Sequence, residues 1–347
     1  METKNPDCVS PSGIKLETSP IGFGTSGIMG SALTDYGRLK LLQCALDQGI
    51  THFDTAPLYG MGEAETLIGK FIKNQRQEVT VATKYGRNPP RISMIYRLAA
   101  PLARAAYHRS RGLKKIIEST VRRENKNDPA APRLAPTTPV AGTRPNNSSY
   151  EREDMERSLH KSLQKLRTDY IDFYLLHECS SGSITEEVIE TLEGFVNQGK
   201  IKAYGLATGR TASKEILSNF PGFRGAVQIP LTVLNPDLAN IHMANNLLTI
   251  THSALNHVVG KLQNILADQA RLDEWCQIVS YDLLQPGAIP RFLLAHARLA
   301  NPDGIVLFSS QKKDHLIKNA QYLRDSGLSP QQLNAFTNLV GQELVYK

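Results

Sequence analysis

Short apolar runs alternate with helical patterns along most of the chain. Each run of about four to eight residues is rich in β-branched or aromatic side chains, which is typical of buried strands. The stretches that follow keep apolar residues three and four positions apart, as an amphipathic helix does. The predicted strands are 20–25, 50–53, 79–83, 170–176, 200–207, 226–231, 277–281 and 304–309.

Eight strands alternating with about eight helices predict an α/β protein with parallel strands, because each parallel connection needs a crossover helix. Eight such units favour a closed (β/α)8 TIM barrel over an open doubly wound sheet. An open sheet that binds a dinucleotide would show G-x-G-x-x-G opening directly into a helix. The stretch "GFGTSG" (22–27) has that spacing, but "IMGSALT" separates it from the helical pattern. We therefore predict one barrel over residues 14–347.

A basic segment, residues 86–149, interrupts the barrel pattern after the third strand. It holds thirteen Lys and Arg against three Asp and Glu, whereas the whole chain has a formal net charge of +7. The rest of the chain is therefore slightly acidic. The positive charge belongs to this insertion and not to the barrel, which argues against a nucleic-acid-binding protein.

The two halves of the insertion differ in composition. Residues 91–124 keep helical spacing and predict a helix near the barrel mouth, whereas 127–149 are proline-rich and predict a mobile loop. Three roles stay open: a lid over a substrate, a docking site for an anionic partner or a membrane surface, and a variable insertion without function. RNA binding would need an aromatic platform, and none is evident. A second excursion, 232–275, follows strand six and is a candidate carrier of specificity.

Composition points to an ordinary soluble protein, with 41% apolar and 21% charged residues. The amino terminus has no apolar run typical of a secretory signal, and no stretch has the length of a membrane span. The four cysteines lack C-x-x-C spacing, which suits reduced thiols in the cytoplasm. The His, Cys, Asp and Glu residues show no metal-ligand spacing, so we expect no metal.

Four reactive side chains fall at or just after the ends of predicted strands. Asp54 ends strand two, Tyr59 lies on the following loop, Lys84 ends strand three and His177 ends strand four. In a parallel barrel these ends meet at one mouth. A phenol has a pKa of about 10, and a nearby ammonium lowers the cost of phenolate while a carboxylate holds the ammonium in place. This set suits protonation of a carbonyl oxygen while hydride reaches the carbon.

The sequence resembles the aldo-keto reductase superfamily over nearly the whole chain outside 86–149 and 232–275. The stretches that carry the resemblance are "GFGT", "GITHFDTAPLYG", "GEAETLIGKFI", "VTVATKYG", "SLQKLRTDYIDFYLLHE", "GKIKAYGLA", "VQIPL" and "VLFSSQKKDHLIKNA". The resemblance implies a (β/α)8 barrel that binds NADP(H) across its mouth. It also implies Tyr59 as general acid/base, Lys84 and Asp54 as the groups that tune it, and His177 as the group that orients the substrate carbonyl.

The same resemblance implies cofactor contacts where the residues match. Besides Asp54, these positions are Gly24, Thr25, Thr208, Gln228, Tyr281, Ser309, Ser310, Gln311, His315 and Asn319. Tyr281 matches the aromatic residue expected to stack on the nicotinamide.

Three positions depart from the family pattern. Ala207-Thr208 stands where the family usually has Ser-Asn, Asp282 follows Tyr281 in place of serine, and His315 replaces the usual basic residue at the 2′-phosphate.

The leading hypothesis is an NADP(H)-dependent oxidoreductase that reduces an aldehyde or ketone, or oxidises the corresponding alcohol or sugar. Its partner would be a small carbonyl or alcohol compound and not a nucleic acid. We expect a preference for NADP over NAD that strengthens toward acid pH, because His315 carries charge only when protonated. The alternative is an NADPH-binding regulatory or redox-sensing protein with little turnover.

Overall fold

The residues that the structure describes form ten strands, eight of which belong to a barrel. The computed structural model describes residues 18–29, 33–89, 146–147, 149–221, 223, 225–235, 247–256 and 258–344. The strands are β1 (Ile21–Gly24), β2 (His52–Asp54), β3 (Thr80–Tyr85), β4 (Arg87–Asn88), β5 (Asn146–Asn147), β6 (Ile171–His177), β7 (Ile201–Ala207), β8 (Ala226–Pro230), β9 (Leu248–His252) and β10 (Ile305–Phe308).

The barrel closes in the order β1, β10, β9, β8, β7, β6, β3, β2, and all its neighbours pair in parallel. The helices are α1 (Ser26–Met29), α2 (Asp35–Asp47), α3 (Ala64–Phe71), α4 (Arg152–Leu166), α5 (Glu186–Asn197), α6 (Arg210–Asn219), α7 (Val258–Ile265), α8 (Gln269–Val279), α9 (Ala288–Ala300), α10 (Lys313–Arg324) and α11 (Pro330–Leu344). The predicted (β/α)8 barrel is confirmed.

The prediction of the seventh barrel strand is wrong. Residues 277–281 finish α8 and the turn after it, and the strand at this place in the barrel is β9, within the excursion 232–275 that follows strand six. Leu272, Trp275 and Val279 are buried at spacings of three and four, so this run continues a helix face. The excursion after strand six is therefore interrupted by a barrel strand.

Strands β4 and β5 form a separate antiparallel pair at the base of the insertion. Arg87 pairs with Asn147 and Asn88 with Asn146. The predicted helix 91–124 and most of the predicted mobile tract 127–149 lie outside the described residues. At the end of that tract the prediction is wrong, since residues 146–147 are a strand.

The two faces of each barrel strand separate into different environments. One buried cluster lines the barrel interior and contains Ala82, Phe173, Leu175, Ala203, Ala207, Ala226, Leu248, Ile250, Ile305 and Leu307. A larger cluster, which includes Tyr174 and Leu176, packs between the strands and the helices. Side chains alternate along a strand, so residues two positions beyond the apolar lining share its interior face. Lys84, His177 and His252 stand in such positions, at the carboxyl ends of their strands.

No helix within the described ranges is long and apolar enough to cross a lipid bilayer. Cys44, Cys179 and Cys276 are free thiols, and Cys8 lies outside the described residues.

Candidate active site

A buried ion pair joins the ends of β2 and β3. Lys84 Nζ lies 2.5 Å from Asp54 Oδ1, and the two side chains are 2% and 6% exposed. Lys84 also donates to the carbonyl oxygen of Thr55 at 2.9 Å. Burial by itself lowers the pKa of the Lys84 ammonium, but Asp54 and Tyr59 outweigh it, and the pKa is raised above its ordinary value. The lysine is therefore held charged inside the barrel mouth.

Tyr59 lies over this pair on the loop after β2. Its ring centroid is 4.9 Å from Lys84 Nζ. Burial raises the pKa of the Tyr59 phenol and the nearby Asp54 carboxylate adds to this, whereas Lys84 opposes both by charge and by a hydrogen bond. The phenol is thus held protonated, beside the ammonium that would stabilise its phenolate.

A short 3₁₀ turn, Tyr59–Gly62, sets the position of the phenol. Gly60 and Met61 are both left-handed, with φ of 58° and 60°. A Cβ at Gly60 would lie 2.5 Å from Met29 Cε, so only glycine allows the loop to approach α1 this closely. The sequence "YGMG" is therefore explained by the turn that places the tyrosine.

His177 completes the set of four at the end of β6. Its ring is perpendicular to that of Tyr59, with centroids 6.2 Å apart. The pKa of His177 is lowered to about 3, mainly by burial and further by the charges of Lys84, Arg87 and His252. Its Nδ1 is buried and has no hydrogen-bond partner among the described residues. A neutral imidazole of this kind can donate one hydrogen bond and accept another. The four side chains predicted from the sequence are therefore brought together.

Several buried polar atoms around these four residues lack a protein partner. Gln228 Nε2 donates to Asp54 Oδ1 at 3.0 Å, which leaves its Oε1 buried and unpaired within the described part of the chain. Thr55 Oγ1 and Ser309 Oγ are also buried and have no hydrogen-bond partner among the described residues. Buried polar groups are nearly always hydrogen-bonded in folded proteins. These unpaired atoms at the strand ends therefore fit a site that binds a polar ligand such as a dinucleotide.

The predicted cofactor residues near β1 and β7 lie at the mouth, but two of their side-chain hydroxyls already make hydrogen bonds within the protein. Gly24 ends β1, and the next residue, Thr25, donates from Oγ1 to the carbonyl oxygen of Asp54 at 3.0 Å. Thr208 Oγ1 donates to the carbonyl oxygen of Cys179 at 3.1 Å. Both threonines are buried. Their hydroxyls already support the loops, so any contact with a ligand would use their remaining acceptor capacity.

The predicted phosphate and adenosine residues follow β10. Ser310 Oγ donates to the carbonyl oxygen of Lys312 and accepts from its N–H, at 2.9 and 3.2 Å. Gln311 Nε2 donates to the carbonyl oxygen of Gly27 in α1 at 2.9 Å. His315 is exposed in the first turn of α10, and Asn319 is buried one turn later. This loop and helix start form an open, basic corner that suits a phosphate.

Tyr281 does not lie at the end of a barrel strand. Its predicted contact with the nicotinamide depended on the strand predicted for residues 277–281, which is wrong. It follows α8, where its ring packs against Phe292 at 5.2 Å and its hydroxyl accepts from Arg291 Nη1 at 2.7 Å. Asp282 is exposed and caps a turn by accepting from the N–H of Leu284.

His252 takes the position at the end of the seventh barrel strand that we had assigned to Tyr281. Its Nδ1 is 2.7 Å from Ser253 Oγ, and Ser253 is left-handed with φ of 70°. Burial lowers the pKa of His252 to about 4, with Asp54 opposing and Lys84 adding to the shift. His252 follows the interior residues Leu248 and Ile250 at a spacing of two, which puts its ring on the interior face at the mouth. The alternation in "LTITH" is a signal for this strand, but it extends over only five residues.

No three His, Cys, Asp or Glu side chains cluster as a metal site would require, as far as the described ranges extend.

Comparison with known proteins identifies the family. The Aldo/keto reductase family model matches residues 20–340. Among curated proteins, aldo-keto reductase YhdN of Bacillus subtilis (strain 168) is 28% identical over 197 residues, which cover 55% of this chain and 44% of that protein. Probable aldo-keto reductase 1 of Glycine max is 26% identical, with 55% and 42% covered. The chain thus spans less than half the length of these curated relatives.

Solved structures share the fold at low sequence identity. The glycerol dehydrogenase of Gluconobacter oxydans superposes with a TM-score of 0.67 at 15% identity, covering 99% of this chain and 97% of that one. An aldo/keto reductase of Klebsiella pneumoniae in complex with NADP and acetate superposes with a TM-score of 0.65 at 20% identity, covering 97% and 96%. The resemblance inferred from the sequence motifs is confirmed, and the chain belongs to the aldo/keto reductase family.

Proposed function

We propose that the protein is an NADP(H)-dependent oxidoreductase that reduces an aldehyde or ketone, or oxidises the corresponding alcohol or sugar, in the cytoplasm. The observation that carries the proposal is the buried Asp54–Lys84 pair beneath Tyr59, with neutral His177 facing the same phenol. A similar protein from Klebsiella pneumoniae was solved in complex with NADPH. The match to family members named as reductases and dehydrogenases supports the same reaction class.

In the reductive direction, Tyr59 donates its phenolic proton to the carbonyl oxygen of the substrate. Bound NADPH would supply the hydride to the carbonyl carbon. The phenol is a weak acid here, because burial raises its pKa. The Lys84 ammonium stabilises the phenolate as the proton leaves, and Asp54 keeps that ammonium charged and in place. In the oxidative direction the phenolate takes the proton back from the alcohol.

His177 orients the substrate in this proposal. Its pKa, lowered to about 3, keeps the ring neutral at any physiological pH. A neutral imidazole donates a hydrogen bond to the carbonyl oxygen without competing with Tyr59 as a proton source. The division of labour is then clear: His177 positions the oxygen and Tyr59 protonates it.

The cofactor would lie between the ends of β1, β8, β9 and β10. Gln228 Oε1 and Ser309 Oγ, both buried and unpaired among the described residues, would take its polar groups. Lys312 and Lys313 are exposed where α10 begins and would take the 2′-phosphate, together with the N–H groups of that helix start. His252 would face the nicotinamide from the end of β9.

A Tyr59→Phe variant tests the proposal. Purified protein should oxidise NADPH in the presence of 4-nitrobenzaldehyde, and Tyr59→Phe should lower kcat by about 10²–10⁴ because it removes the general acid. Tyr36→Phe is the matched control, since Tyr36 is 67% exposed on α2 and its ring contacts Lys40 rather than any of the four site residues. Normal turnover by Tyr59→Phe would show that another group is the acid.

One observation favours a second candidate, a regulatory protein that binds NADPH with little turnover. Ala207 lacks a polar side chain, and the hydroxyl of Thr208 already donates to the carbonyl oxygen of Cys179. Neither residue therefore offers a side-chain donor to the carboxamide of a bound nicotinamide. Binding of NADPH followed by fluorescence, with no oxidation across a panel of aldehydes, ketones and sugars, would support this candidate. The intact group of Asp54, Tyr59, Lys84 and His177 makes the enzyme the better supported of the two.

A further inference from the structure

The chain immediately after Lys84 crosses closely over the end of β6. Gly86 has φ of 122°, a conformation that favours glycine. A Cβ at Gly86 would lie 2.7 Å from the carbonyl oxygen of His177 and 2.7 Å from the hydroxyl of Tyr150. The next residue, Arg87, starts β4 and is fixed by its pairing with Asn147. The glycine thus brings an arginine to the rim of the mouth beside His177.

The guanidinium of Arg87 acts on the site electrostatically. It is one of the charges that lower the pKa of His177, after burial and Lys84. Its Nη1 donates to the carboxylate of Glu178, the residue that follows His177. Its Nε is buried and has no hydrogen-bond partner in the part of the chain that the structure describes. One edge of the guanidinium therefore has an unused donor next to the proposed reaction centre.

Glu178 is a replaceable partner for this arginine. Its side chain is 53% exposed, whereas that of Arg87 is 25% exposed. Ion pairs that are open to solvent contribute little to stability, so exchanging one carboxylate for another costs little. Glu178 is also left-handed, with φ of 51°, an uncommon backbone conformation that clusters at functional sites.

We infer that Arg87 binds a carboxylate of the substrate in place of Glu178, so that the carbonyl compound reduced by this protein is an anionic oxo acid. This inference rests on the proposed function and names its substrate class. Guanidinium matches a carboxylate in shape and can bind it with two parallel hydrogen bonds. The two ends of the segment 86–149 pair at this rim, and its sequence carries an excess of ten positive charges.

The test compares two aldehydes that differ only in one carboxylate. We expect wild-type protein to prefer 4-carboxybenzaldehyde over benzaldehyde in kcat/KM. Arg87→Gln should lower the ratio of the two kcat/KM values about tenfold, since it removes a charged hydrogen bond. Glu178→Gln should raise the ratio, because it removes the competing carboxylate. If Arg87 binds the substrate carboxylate, the two substitutions shift the ratio of kcat/KM values in opposite directions. If the ion pair only supports the fold, both substitutions shift the ratio in the same direction.

Arg271→Gln is the matched control. Arg271 also donates to a partly exposed glutamate, Glu343, but this pair joins α8 to α11 away from the barrel mouth. It should leave the substrate ratio unchanged. A ratio that is the same in wild type, Arg87→Gln and Glu178→Gln would overturn the inference while leaving the reductase proposal intact.

Absence of turnover with both aldehydes would count against the proposed function instead. Calorimetric binding of the same two compounds to the NADPH-loaded protein then decides the inference separately. Tighter binding of the carboxylated compound, lost in Arg87→Gln, would support it. Equal binding by both proteins would overturn it.

Discussion

The ammonium of Lys84 and the carboxylate of Asp54 lie 2.5 Å apart with almost no exposure to solvent. Two charges buried this deeply depend on each other, because either one alone in the interior lacks compensation. Gln228 adds a hydrogen bond to the same Asp54 oxygen at 3.0 Å. The same pair of side chains therefore has a proposed catalytic role and a role in stability.

Asp54→Asn should destabilise the protein by about 3–5 kcal/mol, because it leaves the Lys84 ammonium buried without its counter-charge. The double variant Asp54→Asn/Lys84→Met should recover most of that loss, since it removes the stranded charge. Both variants should oxidise NADPH more slowly than the wild-type protein. Urea unfolding followed by circular dichroism measures the stabilities. A double variant as unstable as the single one would contradict this account of the pair.

Stability should fall as the solution becomes acidic. Burial lowers the pKa values of His52, His177 and His252 to about 4, 3 and 4, below the value of about 6.5 in the unfolded chain. Between about pH 6.5 and 4 the unfolded state therefore binds up to three more protons than the folded state. Each proton changes the free energy of unfolding by about 1.4 kcal/mol per pH unit, so the combined slope approaches about 4 kcal/mol per unit.

Urea unfolding at pH 7.5 and 5.5 measures this slope. His52→Gln should reduce it by about a third, because one titrating group is removed. His160→Gln is the control, since His160 is exposed on α4 and should not change the slope. A stability that rises on acidification would contradict the prediction.

The corrected strand assignment predicts different effects at His252 and Tyr281. His252→Ala should weaken NADPH binding by about threefold to tenfold, since a flat ring at the end of β9 is lost from the mouth. Tyr281→Leu, which removes the ring, should leave the NADPH dissociation constant unchanged. It should cost about 1–3 kcal/mol of stability, because Arg291 loses the hydroxyl acceptor at 2.7 Å and Phe292 loses the ring packed at 5.2 Å. Fluorescence titration with NADPH distinguishes the two. Weaker binding in Tyr281→Leu alone would restore the original assignment.

The preference for NADPH over NADH should depend on the basic side chains where α10 begins. Lys312 and Lys313 are exposed there, next to His315 in the first turn. Lys312→Ala should lower the ratio of the NADH and NADPH dissociation constants by about twofold to fivefold, because it removes a positive charge beside the proposed 2′-phosphate site. Fluorescence titration with both nucleotides measures the ratio. An unchanged ratio in Lys312→Ala would remove Lys312 from the phosphate site.

The sequence predicted most of the barrel because its strands are bounded by turns and followed by clear helical spacing. It failed for β9, where a five-residue run such as "LTITH" is too short to be told from "QIVSY" by composition. The structure assigns "QIVSY" to the end of α8 because Val279 continues the buried helix face that Leu272 and Trp275 begin. A single misplaced strand then moved one cofactor prediction from His252 to Tyr281.

The site itself was predicted to a different extent for each group. Asp54, Lys84 and His177 end strands, so the rule that parallel strand ends converge was enough. The contact between Arg87 and Glu178 was beyond prediction, because it depends on a left-handed Gly86 and on how closely two loops approach. Strand ends are fixed by the fold, whereas loop contacts depend on local backbone angles that composition does not determine.

The antiparallel pairing of Arg87–Asn88 with Asn146–Asn147 makes the insertion a side branch of the chain. The polypeptide leaves the barrel and returns to it at neighbouring points. The barrel fold therefore depends on the pairing of these two short strands and not on the length of the chain between them. Such a site accepts exchange of one module for another in evolution and in gene fusion. Because the branch point lies beside His177, a module exchanged there would be joined to the barrel at the rim of the proposed active site.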